Sequence, residues 1–225
     1  MGRNVEINSG KRKTIIMSYD KQVEKQHYHK RTYNSIHRFV SYYGQIDHVL
    51  TALPQPASIL EIGKGNGLVN WYLKQLGYNA KTFDFDPGLE PDFQGDMLNI
   101  DTIVHEKFDA VCAFEVLEHV KYEDVEGILL KMAKVSNKYV IISLPQFNFV
   151  VSFWLRISRF RDKRKVFLFP WPKPHRFDGE HYWELGKIGY KISDFRNMLN
   201  KHFTIVKEYT EPLDTYHRFY ILEKK

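Results

Sequence analysis

Apolar positions along the chain change their spacing in a regular order, with short unbroken runs alternating with helical repeats. Ser58–Ile62 is a brief apolar run closed by glycines, which is how a strand buried on both faces reads. Val69, Tyr72, Leu73 and Leu76 then recur at helical spacing until Gly77 stops the helix. Ala80–Phe85, Phe93–Met97 and Phe108–Phe114 predict a second, third and fourth strand. Val125, Ile128, Leu129 and Met132 predict a helix, and the β-branched run Tyr139–Leu144, stopped by Pro145, predicts a fifth strand.

Past Pro145 the alternation lapses for about 45 residues, longer than a compact domain leaves structureless unless the segment has a task. Phe149, Val150, Phe153, Trp154, Ile157 and Phe160 suggest one face of a cap helix there. The regular pattern resumes at Ser193, read as an N-cap with Phe195, Met198 and Leu199 on one helical face. Phe203–Tyr209 and Tyr216–Leu222 close the chain as two strands joined by a short turn. One or two helices are expected between about Tyr19 and Leu53. The expectation is an α/β domain with a parallel sheet covered on both faces and an antiparallel strand at its end. The chain divides into an N-terminal helical segment (1–57), a core (58–145), an insert (146–190) and a closing helix with strands (191–225).

Composition adds bounds. With 225 residues, 43% hydrophobic and 27% charged, the chain has material for one domain with a full core. The single cysteine, Cys112, sits in an apolar run and leaves no disulfide framework. No stretch has the length of a membrane span or the form of a signal peptide, so the expected compartment is the cytoplasm. The net charge of +6 concentrates at Lys11, Arg12 and Lys13 and between Arg156 and Lys165, where six basic residues stand against one acid. These clusters read as solvated surface rather than as a nucleic-acid or membrane footprint.

The chemistry centres on Glu61, Gly63, Gly65 and Gly67, where a buried strand turns into a helix, the crevice at which open α/β sheets bind ligands. A dinucleotide fingerprint counted from Gly63 needs a glycine at 68, which is Leu68. The pattern E-x-G-x-G-x-G instead resembles motif I of the class I S-adenosylmethionine-dependent methyltransferases, and the resemblance runs from Ser58 to Leu144. Asp84 matches that family's strand-two acid, which holds the ribose hydroxyls, with Asp86 a rival two positions on. Asp96 matches the acid that meets the adenine amino group, with Met97 beside the ring. The segment Phe114–Val120 is similar to the E-V-L-E-H stretch of the type 11 and ubiquinone-pathway O-methyltransferases.

The resemblance implies a Rossmann-like seven-stranded sheet of order 3-2-1-4-5-7-6, with the last strand antiparallel, and S-adenosylmethionine as cofactor. It implies cofactor contacts from Glu61, the three glycines, Asp84, Asp96, Met97 and Glu115. No Asn/Asp-Pro-Pro-Tyr follows the fourth strand, which turns the reading toward a small-molecule or lipid- or glycan-linked acceptor. An RNA-directed methyltransferase and a non-catalytic binding subunit are the alternatives.

An acceptor that must lose a proton needs a base, and His119, His175 and His181 are the candidates, with His119 and His181 taken as catalytic. Glu115, Glu118 and His119 lie at i, i+3 and i+4 and on a helical turn would share a face suited to a cation. The reading adopted has no metal: Glu115 faces the cofactor, Glu118 caps the next helix and His119 packs or acts as the base. The insert is expected to form a lid over the acceptor site, favoured over a basic amphipathic segment that touches a membrane surface, and the acids, histidine and aromatics of Gly179–Gly186 are candidates to line the acceptor pocket. The sequence leaves the oligomeric state open.

Overall fold

The computed structural model describes Tyr19 and residues 23–157, 161–171 and 173–225. The basic cluster Lys11–Lys13 lies outside the described residues, as does Phe160. After a 3₁₀ turn at Lys25–His29, helix α1 spans Ile36–Ala52 and is capped by the Ser35 hydroxyl, which accepts from the Arg38 amide. The expected N-terminal helical stretch is therefore shorter, because the Asn34–Ser35 cap starts the helix late.

Strand β1 (Ser58–Ile62), helix α2 (Leu68–Gln75) and strand β2 (Asn79–Asp84) follow. Next come β3 (Phe93–Gln94), α3 (Ile100–Ile103), β4 (Phe108–Phe114), α4 (Tyr122–Val135) and β5 (Ser136–Pro145). The third strand is only two residues long because Asp96 caps a 3₁₀ turn at Met97–Asn99 through the Leu98 amide, at 2.9 Å.

Residues 149–169 correct the cap-helix expectation. Within them β6 (Phe149–Ile157) and β7 (Arg161–Phe169) pair antiparallel as a hairpin, a two-stranded sheet separate from the main one. The apolar positions 149, 150, 153, 154 and 157 suit a helix by spacing, yet the run is dense in β-branched and aromatic residues, which favour extended chain.

Helix α5 spans Ile192–His202, followed by β8 (Phe203–Glu211) and β9 (Asp214–Lys224). Ser193 is inside α5 rather than its cap. The Lys191 carbonyl already accepts from the amides of Asp194 and Phe195, so the helix begins two residues earlier.

The main sheet has the order β3-β2-β1-β4-β5-β9-β8, which is the expected order once the hairpin strands are set aside. Strands β1 to β5 pair in parallel, and β9 runs antiparallel to both β5 and β8. Each central strand divides its side chains between two cores. Ile59, Ala110, Cys112 and Ile141 meet α1 and α2, whereas Leu60, Ile62, Val111, Val140 and Ile142 meet α4 and α5. Burial on both faces is why these strands read as unbroken apolar runs. Among the described residues, no helix is long and apolar enough to cross a membrane.

Candidate active site

At the carboxyl ends of β1, β2 and β4 the chain leaves the sheet through three turns that line one cavity. The first turn carries the glycines. Gly63 has φ +80°, and a Cβ there would lie 2.4 Å from Val116 Cγ2, so this position needs glycine both for its backbone and for the space the β4 turn takes. Gly67, left-handed at φ +73°, is the N-cap of α2. The turn borders the cavity, which takes Gly63, Lys64, Gly65 and Asn66 into its wall together with Val69 of α2, whereas Gly67 itself does not line it.

The second turn is held by Asp84. Its carboxylate accepts from the amides of Lys64 at 2.8 Å and Asp86 at 2.9 Å, tying the end of β2 to the glycine turn. Asp86 caps the 3₁₀ turn at Pro87–Leu89 through the Gly88 amide, at 2.9 Å. Both acids are buried in the cavity wall, with Gly95, Asp96 and Met97 beside them. Behind them lies Glu61, whose carboxyl is pushed up to about 8 by burial and by the neighbouring Asp84. Its Oε2 has no hydrogen-bond partner among the described residues.

The third turn follows β4. Glu115 adopts φ +56° and sends its carboxylate toward the N-terminal helix, where Arg38, Ser41 and Gln45 bind it. His217 Nε2, from β9, lies 3.3 Å from the same carboxylate, and His217 Nδ1 is 3.0 Å from Asp214. Burial alone would raise the Glu115 carboxyl, but His217, Arg38 and Ser41 outweigh it and hold the group well below the usual carboxylate range. Burial would lower His217, yet Glu115 and Asp214 carry it up to about 9.

The left-handed Glu115 also decides the fate of the sequence-expected Glu115–Glu118–His119 face. Only Leu117–His119 is helical, as a 3₁₀ turn, so the three side chains do not share a face. Glu118 does not cap α4 either, since the N-cap is Lys121. Instead Glu118 and His119 meet His181, and one ligand atom from each falls within 4.8 Å of the others. Asp178, His181 and Glu184 form a second such group. These are the sets among the described residues that have the spacing to hold a cation.

His181 is built into place. The Asp178 carboxylate accepts from the amides of Glu180 at 2.9 Å and His181 at 2.8 Å, and His181 Nδ1 lies 3.3 Å from Glu184 Oε1. Burial pulls the imidazole down, but the Glu184 hydrogen bond with Glu118 and Asp178 nearby leaves it above its ordinary value. His119, by contrast, is lowered by burial and by His181, and its Nδ1 donates to the Glu180 carbonyl at 3.0 Å. Burial lifts Glu118 to about 7 against the pull of His181. His175 is spent on structure, donating from Nε2 to the His181 carbonyl at 2.9 Å, and it is not in the cavity wall.

From the insert, Glu180 and His181 line the cavity, whereas the hairpin does not. Sequence reasoning missed Arg38, Ser41, Gln45 and His217, and also Tyr216, which lines the cavity and donates to Glu184 at 3.3 Å. The only local signal was the density of polar and aromatic residues in 37–45 and 214–218, which resembles ordinary surface.

A family profile described as a methyltransferase domain matches residues 26–185. A search of functionally curated proteins finds no match. Among solved structures, the chain resembles a glycopeptide N-methyltransferase complexed with S-adenosyl-L-homocysteine, at 10% identity and TM-score 0.56, covering 85% of this chain and 98% of that one. It also resembles magnesium protoporphyrin IX methyltransferase from Synechocystis PCC 6803 with bound S-adenosylmethionine, at 14% identity and TM-score 0.54, covering 89% and 91%. A third is the Burkholderia thailandensis 1,6-didemethyltoxoflavin N1-methyltransferase, at 14% identity and TM-score 0.51, covering 88% and 83%.

Proposed function

The chain belongs to the methyltransferase-domain family and is an S-adenosylmethionine-dependent class I methyltransferase, and from that premise we propose that the cavity takes the cofactor along the glycine turn and passes its methyl group to a small-molecule or lipid- or glycan-linked acceptor. The observation that carries this reading is the convergence of Glu61, Gly63, Gly65, Asp84 and Asp96 on one cavity. The residues fit the group. A Cβ at Gly65 would meet only the Tyr28 ring, at 3.8 Å, so the turn keeps room beside it, and the unpartnered Glu61 oxygen is suited to a cationic ligand, which would return that carboxyl to its charged form. When bound, the cofactor supplies a methyl already activated on a positively charged sulfur. The protein's part is then to align and dry the site.

Asp84 accepts the ribose hydroxyls in this reading while keeping its two backbone amides. Asp84→Ala is expected to weaken S-adenosylhomocysteine binding by about 1.5–3 kcal/mol, the usual worth of hydrogen bonds to a charged group, measured by titration calorimetry. The same loss from Asp86→Ala with none from Asp84→Ala would move the ribose site by two residues. Absence of binding by the wild-type protein would overturn the reading altogether.

His181 is the base in this scheme and Glu184 is its positioning residue. With Nδ1 held on Glu184, Nε2 is the nitrogen left to take a proton, and a basicity raised above the ordinary imidazole value suits that step. His181→Ala is expected to lower turnover about 10²–10⁴-fold on acceptors that must lose a proton, with cofactor affinity unchanged. The measurement is transfer of labelled methyl to a panel of hydroxyl and amine acceptors. Loss of turnover in chelator, restored by Mg²⁺, would reassign Glu118, His119 and His181 as metal ligands.

A further inference from the structure

We propose that the β6–β7 hairpin is a docking element for an anionic lipid surface. The register decides what each face presents. Phe149 pairs with Phe169, Val151 with Phe167, Phe153 with Lys165 and Leu155 with Lys163, so these eight side chains share one face. Phe153 is 63% exposed and Leu155 60%, and Phe149, Phe167 and Phe169 are each about half exposed. The opposite face pairs Val150 with Leu168 and Trp154 with Arg164, whose guanidinium sits 4.8 Å from the Trp154 ring, and Trp154 is itself 62% exposed. The inner strands β1, β4, β5 and β9 of the central sheet find layers for their apolar side chains, whereas the hairpin stands as a separate sheet with large apolar groups outward on both faces.

Charge selects the occupant. Residues 156–165 carry six basic side chains and one acid, and exposed Lys163 and Lys165 stand directly beside Leu155 and Phe153. A second copy of the hairpin would set these cations against one another, at a cost that anionic headgroups turn into attraction. A protein partner would cover one face. Apolar groups on both faces, with lysines whose stems run along the apolar surface and whose ammonium groups reach the headgroups, suit a medium that surrounds the hairpin, and tryptophan belongs at that boundary. The hairpin leaves the core just after β5, and its return limb leads to Glu180 and His181, with Gln146 bridged to Leu185 at its root. That the docked cavity mouth would serve a lipid-linked acceptor rests on the methyl-transfer reading, whereas lipid binding itself does not.

Flotation of the full chain with phosphatidylcholine vesicles, and with equimolar phosphatidylcholine–phosphatidylglycerol vesicles, tests the proposal. The protein is expected to float with the anionic vesicles, less so as salt is added, and to lose tryptophan fluorescence to brominated acyl chains. The Phe153→Ser, Trp154→Ser double variant is expected to abolish flotation and quenching while its circular dichroism and S-adenosylhomocysteine affinity match the wild type. Lys163→Gln and Lys165→Gln should each weaken partitioning about fivefold. Flotation absent in the wild type, or retained in the double variant, would overturn the proposal, as would hairpin-dependent dimers in sedimentation without flotation. Because the cofactor titration is read separately, failure here leaves the methyltransferase reading standing, and the reverse also holds.

Discussion

Replacing Trp183 with alanine is expected to cost about 3–5 kcal/mol of folding stability, a large share of the roughly 5–15 kcal/mol that holds a typical domain together. The indole is fully buried, and its Nε1 donates to the Val120 carbonyl at 3.1 Å. Its ring meets Tyr122 edge-on with centroids 5.0 Å apart, and Phe195 lies at 6.0 Å. Trp183 is the rivet that fastens the segment bearing His181 and Glu184 to α4 and α5. Truncation therefore leaves a cavity and an unpaired carbonyl together, and it frees His181 from its position. The denaturant midpoint of Trp183→Ala measures the loss, and Trp183→Phe should recover most of it. A midpoint near the wild-type value would show that the segment is not fastened there.

The second large effect is alkaline. His217 rises from an ordinary 6.5 to about 9 in the folded chain, because the carboxylates of Glu115 and Asp214 favour its charged form. A histidine raised in this way contributes stability that is fully present below pH 6.5 and is lost as pH climbs through 9, by roughly 3 kcal/mol in all. Glu115 acts with the opposite sign. Held below its normal range by His217 and Arg38, it contributes above pH 4.5 and loses that contribution in acid. The network Arg38–Glu115–His217–Asp214 is thus strongest between these limits. Unfolding free energies between pH 6 and 10 should decline for the wild type, and His217→Gln should flatten that decline while lowering stability at neutral pH. An unchanged slope in His217→Gln would remove His217 from this role.

The same network shows why part of the site was hidden from the sequence. Glu115 was legible as a residue past a buried strand, and contact with a ligand was the role expected of it. It lines the cavity, and its oxygens are held by Arg38, 77 residues before it, and by His217, 102 residues after it on the antiparallel strand. No periodicity connects such positions. The hairpin is the complementary case: its local spacing fits a helix, and pairing with a strand whose register partners lie from 4 residues (Ile157 with Arg161) to 20 residues (Phe149 with Phe169) along the chain makes it extended.

Taken by itself, the sequence determined what depends on neighbours along the chain. The glycine turn, the acids at strand ends and the order of strands and helices are set by backbone sterics, apolar period and burial on both faces, all of which act over a few residues. Tertiary structure decided what depends on neighbours through space. It directed Glu115 toward α1 rather than onto a shared face with Glu118, placed Glu184 against His181 while holding His175 on the His181 carbonyl, and left β6 and β7 with only each other to pair. Those outcomes follow from desolvation, charge pairing and strand register among groups that meet only once the sheet has closed.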